Sequence, residues 1–295
     1  MKCKVHPRYK AIRPPATICI PCWKIFLNKR KEEIGQLDDN IVGRPIRCNK
    51  QHLEVKPNKD YAEVLFIGDI HLGSPQCDIQ RFLKMIEYAN EHKIYVFLMG
   101  DLIEMATKTS IGAGVYEQEI IGHSQYEQMV EWLKPLAQKG LLLGILRGNH
   151  EFRCYELTGV DISKAMAREL SIPYLGDACW NTFSVGKEKY SVYSLHGRTG
   201  ARFDGTALLA LERLAVSFAA DLVAMGHAHK SISSSVVYQK TVNGMVREFK
   251  KHLLITGSYL KYDGGYAQVV GLPISKLGSP KVKFFVNRHD IHISW

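Results

Sequence analysis

Short apolar runs alternate with amphipathic stretches along the chain after residue 60. The mostly apolar runs, each followed within two residues by glycine, are 62–67, 94–99, 141–146 and 220–225. Apolar residues recur at helical spacing within 79–86, 126–138, 162–170 and 207–218. Runs of the first kind are typical of buried parallel strands, and stretches of the second kind are typical of helices packed on a sheet. The alternation therefore predicts an α/β fold.

A different pattern occupies residues 236–255. Two segments of strand-forming residues, 236–242 and 245–255, flank Asn243 and Gly244. Asn-Gly is the dipeptide most strongly favoured in two-residue hairpin turns. This stretch predicts a β-hairpin and, with it, an antiparallel region of sheet.

The composition is that of an ordinary globular protein, with 46% hydrophobic and 23% charged residues in a chain of 295. No apolar run approaches the roughly 18 residues of a membrane span. The N-terminus also lacks the apolar core of a secretion signal. We therefore expect a cytoplasmic protein without membrane association. Its seven cysteines then favour metal binding or packing over a disulfide framework.

The positive charge is concentrated at the N-terminus. Residues 1–60 contain 14 Lys or Arg and 6 Asp or Glu, a net charge of +8, whereas the other 235 residues carry only +2. This contrast suggests two parts, a basic segment 1–60 and a domain 61–295. A basic segment favours a nucleic-acid partner, because neutralised phosphates release counterions. A solubilising surface is the alternative.

The basic segment contains residues at the spacing of a structural zinc site. The pattern C-x₂-H-x₁₂-C-x₂-C consists of Cys3, His6, Cys19 and Cys22. These side chains suit tetrahedral zinc, and a metal would stabilise a segment with few apolar residues. Cys48 is an alternative ligand to His6. Tyr9 and Trp23, which lie among Lys and Arg, have two interpretations: stacking on bases or packing in a small core.

Side chains of metal-binding types follow the four apolar runs and a later predicted strand that ends in YSL at 193–195. In chain order they are Asp69 and His71, Asp101, Asn149 and His150, His196, and His227 and His229. Ligands of α/β proteins bind beyond the carboxyl ends of strands, and carboxylate, imidazole and amide groups together suit Mn²⁺, Fe²⁺ or Zn²⁺. A turn or a helix cap would explain each residue alone. Five such loops together favour a common metal site.

These motifs resemble, in the same order, those of the calcineurin-like metallophosphoesterase superfamily. They read GDIH (68–71), GDLIE (100–104), GNHE (148–151), HG (196–197) and GHAH (226–229). The resemblance covers about residues 61–230. It implies a four-layer fold, a β-sandwich flanked by helices, and two divalent metal ions. Mn²⁺ is the first expectation, and Fe²⁺ and Zn²⁺ are the alternatives.

The same resemblance implies a role for each motif residue. Asp69, His71 and His229 would bind the first metal. Asn149, His196 and His227 would bind the second, and Asp101 would bridge the two. The expected reaction is attack on a phosphodiester by a metal-bridging hydroxide, with His150 facing the leaving oxygen as hydrogen-bond donor or general acid. Asp69 and Glu151 are alternatives for the carboxylate that orients a nearby imidazole.

The resemblance to individual subfamilies leaves the substrate open. LRGNHE is similar to the protein serine/threonine phosphatases, but GDLIEMA lacks the arginine that follows Asp in their second motif. GDIHLGSP resembles nucleases that repair double-strand breaks. A third resemblance is to the lipid-A pyrophosphohydrolases. It is weakened because they have Asp after the HG motif, where this chain has Arg198. The tail is similar to that of phage and prophage phosphoesterases, which suggests a phage-encoded protein in a bacterial host.

We expect a nuclease acting on DNA or RNA. One alternative is hydrolysis of a nucleotide or another small phosphate ester. The other is a non-catalytic nucleic-acid-binding protein, which the complete ligand set disfavours.

Overall fold

Two β-sheets organise the larger part of the chain in the computed structural model, which describes residues 4–8, 15, 19–29, 48–56, 59–107, 110 and 115–295. One sheet has the order β1-β5-β6-β7-β9-β8 and comprises β1 (Asn49–Leu53), β5 (Ala178–Val185), β6 (Glu188–Leu195), β7 (Leu222–Met225), β8 (Ser231–Val242) and β9 (Met245–Thr256). The other has the order β11-β10-β2-β3-β4 and comprises β2 (Tyr61–Ile67), β3 (Tyr95–Leu98), β4 (Leu142–Ile145), β10 (Lys281–Phe285) and β11 (Ile291–Ser294).

Seven α-helices and one 3₁₀ turn lie in the described part of the chain. They are α1 (Ile20–Lys29), α2 (Ile79–Glu91), the 3₁₀ turn Val115–Glu117, α3 (Gly122–Gln138), α4 (Asn149–Thr158), α5 (Ile162–Glu169), α6 (Asp204–Ala215) and α7 (Tyr266–Val269). Within this part of the chain, no helix is both long enough and apolar enough to cross a membrane.

The sheets and helices form four layers. The inner faces of the two sheets pack through aromatic side chains, for example Phe183 of β5 against Phe284 of β10 at 5.4 Å between ring centroids. Helices α2, α3 and α5 cover the outer face of the five-stranded sheet, where Phe82 and Leu133 join its core. Helix α6 covers the outer face of the other sheet through Leu211. The predicted α/β sandwich flanked by helices is confirmed.

The parallel strands of each sheet end in register. Ile67, Leu98 and Ile145 are neighbours at the ends of β2, β3 and β4. Leu195, Met225 and Ile255 are neighbours at the ends of β6, β7 and β9. The loops that follow these strands therefore emerge at common edges of the sheets.

The chain divides into two units, Met1–Arg47 and Cys48–Trp295. The sequence pattern places a division later, at residue 60. Strand β1 accounts for the difference, because Asn49–Leu53 pairs in parallel with Asn181–Val185 of β5 and so belongs to the six-stranded sheet. The side chain of Leu53 is buried between the two sheets.

Candidate active site

All seven predicted ligands of the strand-end loops meet in one place. Asp69 and His71 follow β2, Asp101 follows β3, Asn149 begins α4 just after β4, His196 follows β6, and His227 and His229 follow β7. The in-register strand ends bring these loops together. Backbone hydrogen bonds tie two of them directly, since the amide of Ile70 donates to the carbonyl of Asp101 at 2.8 Å.

The first predicted ligand set is a tight cluster. His229 Nε2 lies 3.2 Å from Asp69 Oδ1 and 3.1 Å from His71 Nε2. His71 Nε2 is 3.9 Å from Asp101 Oδ2. Two ligands at right angles, each about 2.1 Å from one ion, would lie about 3.0 Å apart. The spacing of these atoms therefore fits a shared metal ion.

The second set has the same character. Asn149 Oδ1 lies 3.0 Å from His196 Nε2 and 2.6 Å from His227 Nδ1. His196 Nε2 is also 3.2 Å from Asp101 Oδ2. The Asp101 carboxylate thus faces ligands of both sets, as a bridging residue must.

Two of the imidazoles are held with one nitrogen turned toward the cluster. His71 Nδ1 donates to Glu104 Oε2 at 3.0 Å, and His196 Nδ1 donates to the Met99 carbonyl at 2.9 Å. A proton on Nδ1 leaves the Nε2 lone pair of the neutral ring directed at the cluster. Such acceptors behind ligating histidines fix the tautomer and increase the basicity of the ring.

The donor set requires positive charge at its centre. In the neutral ring, His196 Nε2 presents a lone pair to Asn149 Oδ1 and Asp101 Oδ2, which are themselves acceptors. Within the described residues, Asp101 Oδ2 is buried and receives no hydrogen bond. Buried acceptors that face one another are costly unless a proton or a cation lies between them. The residues present therefore fit divalent metal ions.

Electrostatics supports the same conclusion. Burial alone would raise the pKa of Asp69, Asp101 and Glu104, but the surrounding histidines outweigh it and lower all three pKa values, that of Glu104 to about 2. Burial lowers the pKa of His196, but Asp101 and Asp69 outweigh it and raise that pKa to about 10. Three buried carboxylates attract any cation, proton or metal, that the site can admit.

The backbone of the ligand loops is unusual. Five of the seven predicted ligands have positive φ angles between 49° and 63°: Asp69, His71, Asp101, His227 and His229. Residues other than glycine rarely adopt this left-handed conformation, and its cost is tolerated where the surrounding structure fixes the chain. This backbone conformation directs the side chains toward the cluster. It cannot be inferred from the pattern of apolar residues in the sequence.

Gly148 allows two ligand loops to touch. A Cβ atom at this position would lie 2.1 Å from the Asp101 amide nitrogen and 2.1 Å from Asp101 Oδ1. The glycine of GNHE is therefore required by the close approach of Asp101, in addition to its place at the end of a strand.

Glu151 fixes that approach. Its carboxylate is fully buried and accepts hydrogen bonds from four backbone amides. The donors are Asp101 at 3.0 Å, Leu102 at 2.7 Å, Ile103 at 3.3 Å and Gly148 at 3.0 Å. Glu151 therefore orders the loop that carries Asp101, rather than orienting an imidazole.

Glu104 contacts two imidazoles of the site, although its motif GDLIE indicated no role for it. Its carboxylate lies 3.0 Å from His71 Nδ1 and 3.3 Å from His150 Nδ1. The sequence left Asp69 and Glu151 as alternatives for the carboxylate that orients an imidazole. In the structure Glu104 lies in that position. The only sequence signal is its position three residues after Asp101 in GDLIE.

His150 lies beside the ligand cluster. Its Nδ1 donates to the Glu104 carbonyl at 2.8 Å, and its Nε2 is 3.9 Å from Asp101 Oδ2. Burial lowers the pKa of His150, but the charges of Asp101 and Glu104 outweigh it and raise the pKa to about 9. A cation bound to Asp101 would oppose this rise. The Glu104 carboxylate would still favour the protonated ring, whose Nε2 is then a hydrogen-bond donor.

A cleft of about 520 Å³ opens directly onto these residues. His71, His150 and His229 are among the residues that line it. Lys230, which is 6% exposed, lines the cleft beside them. Two further cationic side chains, Arg202 and Lys261, also line the cleft. The apolar part of its wall consists of Leu260, Leu272, Pro273, Ile274 and Leu277. The cleft therefore suits an anion that carries an apolar group.

The unit Met1–Arg47 brings together three of its four predicted zinc ligands, namely His6, Cys19 and Cys22. Cys3 and Tyr9 lie outside the described residues. Trp23 packs edge-on against Phe26 at 5.9 Å between ring centroids, in agreement with the small-core interpretation. The alternative ligand Cys48 belongs to the second unit, where its thiol lies 3.3 Å from Thr182 Oγ1.

Comparison with solved structures finds distant similarity. Vps29 of Entamoeba histolytica, in complex with Zn²⁺, is 15% identical with a TM-score of 0.34, covering 79% of this chain and 97% of Vps29. A predicted phosphoesterase of Streptococcus pneumoniae is 13% identical with a TM-score of 0.35, covering 79% of this chain and 88% of that protein. Vps29 of Cryptosporidium parvum is 16% identical with a TM-score of 0.33, covering 80% and 97%. No curated protein matches the chain.

The sequence profile of one family covers more than half of the chain. The calcineurin-like phosphoesterase profile matches residues 62–231, which include every predicted ligand from Asp69 to His229. The match agrees with the motifs, the layered fold and the clustered Asp and His side chains. The chain belongs to the calcineurin-like phosphoesterase family and is a metallophosphoesterase, a hydrolase of phosphate esters.

Proposed function

We propose that this metallophosphoesterase is a phosphodiesterase that uses two divalent ions, Mn²⁺ in the first instance, to cleave DNA or RNA. The observation that carries the dinuclear proposal is the position of Asp101. Its carboxylate is shared by two ligand sets, and one of its buried oxygens receives no hydrogen bond from any described residue.

Different residues of the site would bind the metal ions and protonate the leaving group. One ion would be held by Asp69, His71 and His229, the other by Asn149, His196 and His227, with Asp101 common to both. When bound, the ions supply Lewis acidity, which neutralises phosphoryl charge and promotes ionisation of water. His150 Nε2 donates to the leaving oxygen. The side-chain carboxylate and the backbone carbonyl of Glu104 hold the His150 ring through its Nδ1.

Lys230 is suited to hold the substrate phosphate. It directly follows the ligand His229, lines the same cleft as His150, and is buried. Its ammonium group lies 3.5 Å from Asp204 Oδ1, an exposed carboxylate that a phosphate can replace. A buried ammonium beside the cluster offers the positive charge that protein phosphatases obtain from the arginine missing here.

Two features support nucleic acid as the substrate. The cleft has cationic side chains from separate loops, Arg202, Lys230 and Lys261. The unit Met1–Arg47 contains 11 Lys or Arg and 4 Asp or Glu, a net charge of +7. Such charge favours a polyanion and makes its binding depend steeply on salt.

A nucleotide or another small phosphate ester is the second candidate substrate. Cleft size favours it, because about 520 Å³ falls within the range of roughly 300–1,000 Å³ that small-molecule sites occupy. The apolar wall formed by residues such as Leu272 and Ile274 would contact the base or another apolar group. A nucleic-acid end entering the same cleft would make the same contacts.

A substrate panel in the presence of Mn²⁺ separates these possibilities. The panel contains bis-p-nitrophenyl phosphate, p-nitrophenyl phosphate, single- and double-stranded DNA, RNA and cyclic nucleotides. We expect hydrolysis of the chromogenic diester and of at least one polynucleotide. Hydrolysis of small esters without cleavage of any polynucleotide would replace the nuclease proposal by the second candidate. Nucleic-acid binding with no hydrolysis at all would indicate a non-catalytic binding protein.

Removal of residues 1–47 tests the role of the basic unit. The truncation keeps β1, which the six-stranded sheet requires, and every predicted ligand of the strand-end site. Hydrolysis of bis-p-nitrophenyl phosphate should persist. Nucleic-acid affinity should fall, and each lost phosphate contact should reduce the slope of log K against log salt by about 0.7–0.9. An unchanged slope would show that the basic unit does not bind the polynucleotide.

A further inference from the structure

We infer that the unit Met1–Arg47 contains a structural zinc site, separate from the phosphoesterase site, in which His6, Cys19 and Cys22 bind the ion. The sequence spacing predicts Cys3, which lies outside the described residues, as a fourth ligand. The inference rests on three observations within this unit: the distances between the ligand atoms, the position of the thiols on helix α1, and the small size of the core.

The ligand atoms converge although His6 and Cys19 are 13 positions apart in the sequence. One ligand atom each from His6, Cys19 and Cys22 lies within 4.8 Å of the others. The distance from Cys22 Sγ to His6 Nδ1 is 3.4 Å. Tetrahedral zinc, with Zn–S of about 2.3 Å and Zn–N of about 2.0–2.1 Å, places such a pair about 3.6 Å apart. The observed distance is close to that of two ligands of one zinc ion.

Helix α1 presents both thiols on one side of its first turn. Cys19 directly precedes the helix, and its carbonyl accepts a hydrogen bond from the amide of Trp23 at 3.0 Å. Cys22 lies three residues further, within the first turn. Residues three apart share a helix face, so both thiols can face one ion.

The apolar core of this unit is small. Among its described residues only Cys22 and Phe26 are buried, at 2% and 8% exposure, and Trp23 is half-buried against Phe26. Units of this size rarely hold a defined structure by apolar burial alone, and a bound metal compensates. The buried position of Cys22 in this core is what a zinc ligand that organises the fold would have.

Cobalt substitution tests the site in the full chain. Co²⁺ bound to thiolates gives a near-ultraviolet charge-transfer band, whereas the predicted ligands of the strand-end site are Asp, Asn and His. The wild-type chain should show this band, and Zn²⁺ should displace it. Cys19→Ser with Cys22→Ser should abolish it and should remove one equivalent of zinc per chain in metal analysis.

Matched controls locate the band. Cys154→Ser changes a half-exposed thiol on α4 and should leave the band intact. Asp101→Ala disrupts the strand-end site and should also leave it intact, so that failure of the proposed phosphodiesterase function does not affect this test. His6→Cys should retain zinc and intensify the band, and this variant covers the case in which the double serine variant does not fold.

Two results would overturn the inference. One is a wild-type chain, reduced and loaded with Co²⁺, that shows no thiolate band, as expected if Cys19 and Cys22 form a redox-active pair instead. The other is a band that survives the double serine variant or does not change in His6→Cys, which would assign the metal to other cysteines.

Discussion

Replacing Glu151 with Gln should destabilise the protein and weaken metal binding together. Gln keeps the size of the side chain but has a single acceptor oxygen. In either orientation its amide group faces two backbone N–H donors, either those of Leu102 and Ile103 or those of Asp101 and Gly148. Each buried donor left without an acceptor costs about 1–3 kcal/mol. For two such donors we therefore expect a loss of about 2–6 kcal/mol in the free energy of unfolding.

The change in stability should be visible as a change in melting temperature. For domains of about 150–250 residues, 1 kcal/mol corresponds to about 2–4 °C, so a fall of about 4–24 °C is expected by calorimetry. Glu151 also accepts hydrogen bonds from the backbone amides of the loop that carries Asp101. The affinity for Mn²⁺ should therefore fall about 10–100-fold, as measured by isothermal titration calorimetry.

Glu156→Gln is the matched control, since it makes the same change at an exposed position of the same helix. It should alter neither quantity. If Glu151→Gln kept the wild-type melting temperature and Mn²⁺ affinity, the four-amide account of this residue would be refuted.

Three further variants test the site. His150→Ala should retain both metals in elemental analysis and lose about 10²–10⁴-fold in kcat, with a smaller loss on p-nitrophenyl esters; equal losses on good and poor leaving groups would contradict the acid role. Glu104→Gln should weaken metal binding and move the alkaline limb of the pH–rate profile to lower pH, because a carboxylate that raises the pKa of His150 is removed; an unshifted limb would contradict this contact. Lys230→Met should raise KM about 10–100-fold through loss of a charged hydrogen bond, whereas Lys240→Met, on an exposed part of β8, should not; equal effects of the two would indicate a general charge effect.

The sequence predicted those parts of the fold in which burial is uniform along an element. Strands β2, β3, β4 and β7 are buried on both faces and therefore appear as continuous apolar runs. The hairpin of β8 and β9 was found from its turn, where Asn243 and Gly244 both have positive φ angles. Strand β1 was not predicted, because NKQHL lies at the edge of its sheet and only Leu53 is buried.

The clustering of the predicted metal ligands could be inferred for a similar reason. All but His196 follow an apolar run, so their place at a strand end could be inferred from local sequence. His196 follows β6, in which buried and less buried residues alternate. The roles of Glu104 and Glu151 could not be inferred in this way. Glu104 contacts a histidine 33 positions earlier, and Glu151 contacts amides 48–50 positions earlier. Such contacts depend on tertiary structure, and no periodicity in the chain encodes them.

The left-handed backbone of the ligand loops also limits how the metal preference of this enzyme can be redesigned. Asp, Asn and His are the residues other than glycine that most readily adopt positive φ, and five positions of the cluster require it. Attempts to shift selectivity toward softer metals by introducing Cys at Asp69, Asp101 or His227 would have to overcome backbone strain of about 1–3 kcal/mol as well as altered coordination. Asn149, the first residue of a helix, and His196 have negative φ, and they are the positions at which new ligand types should be introduced first.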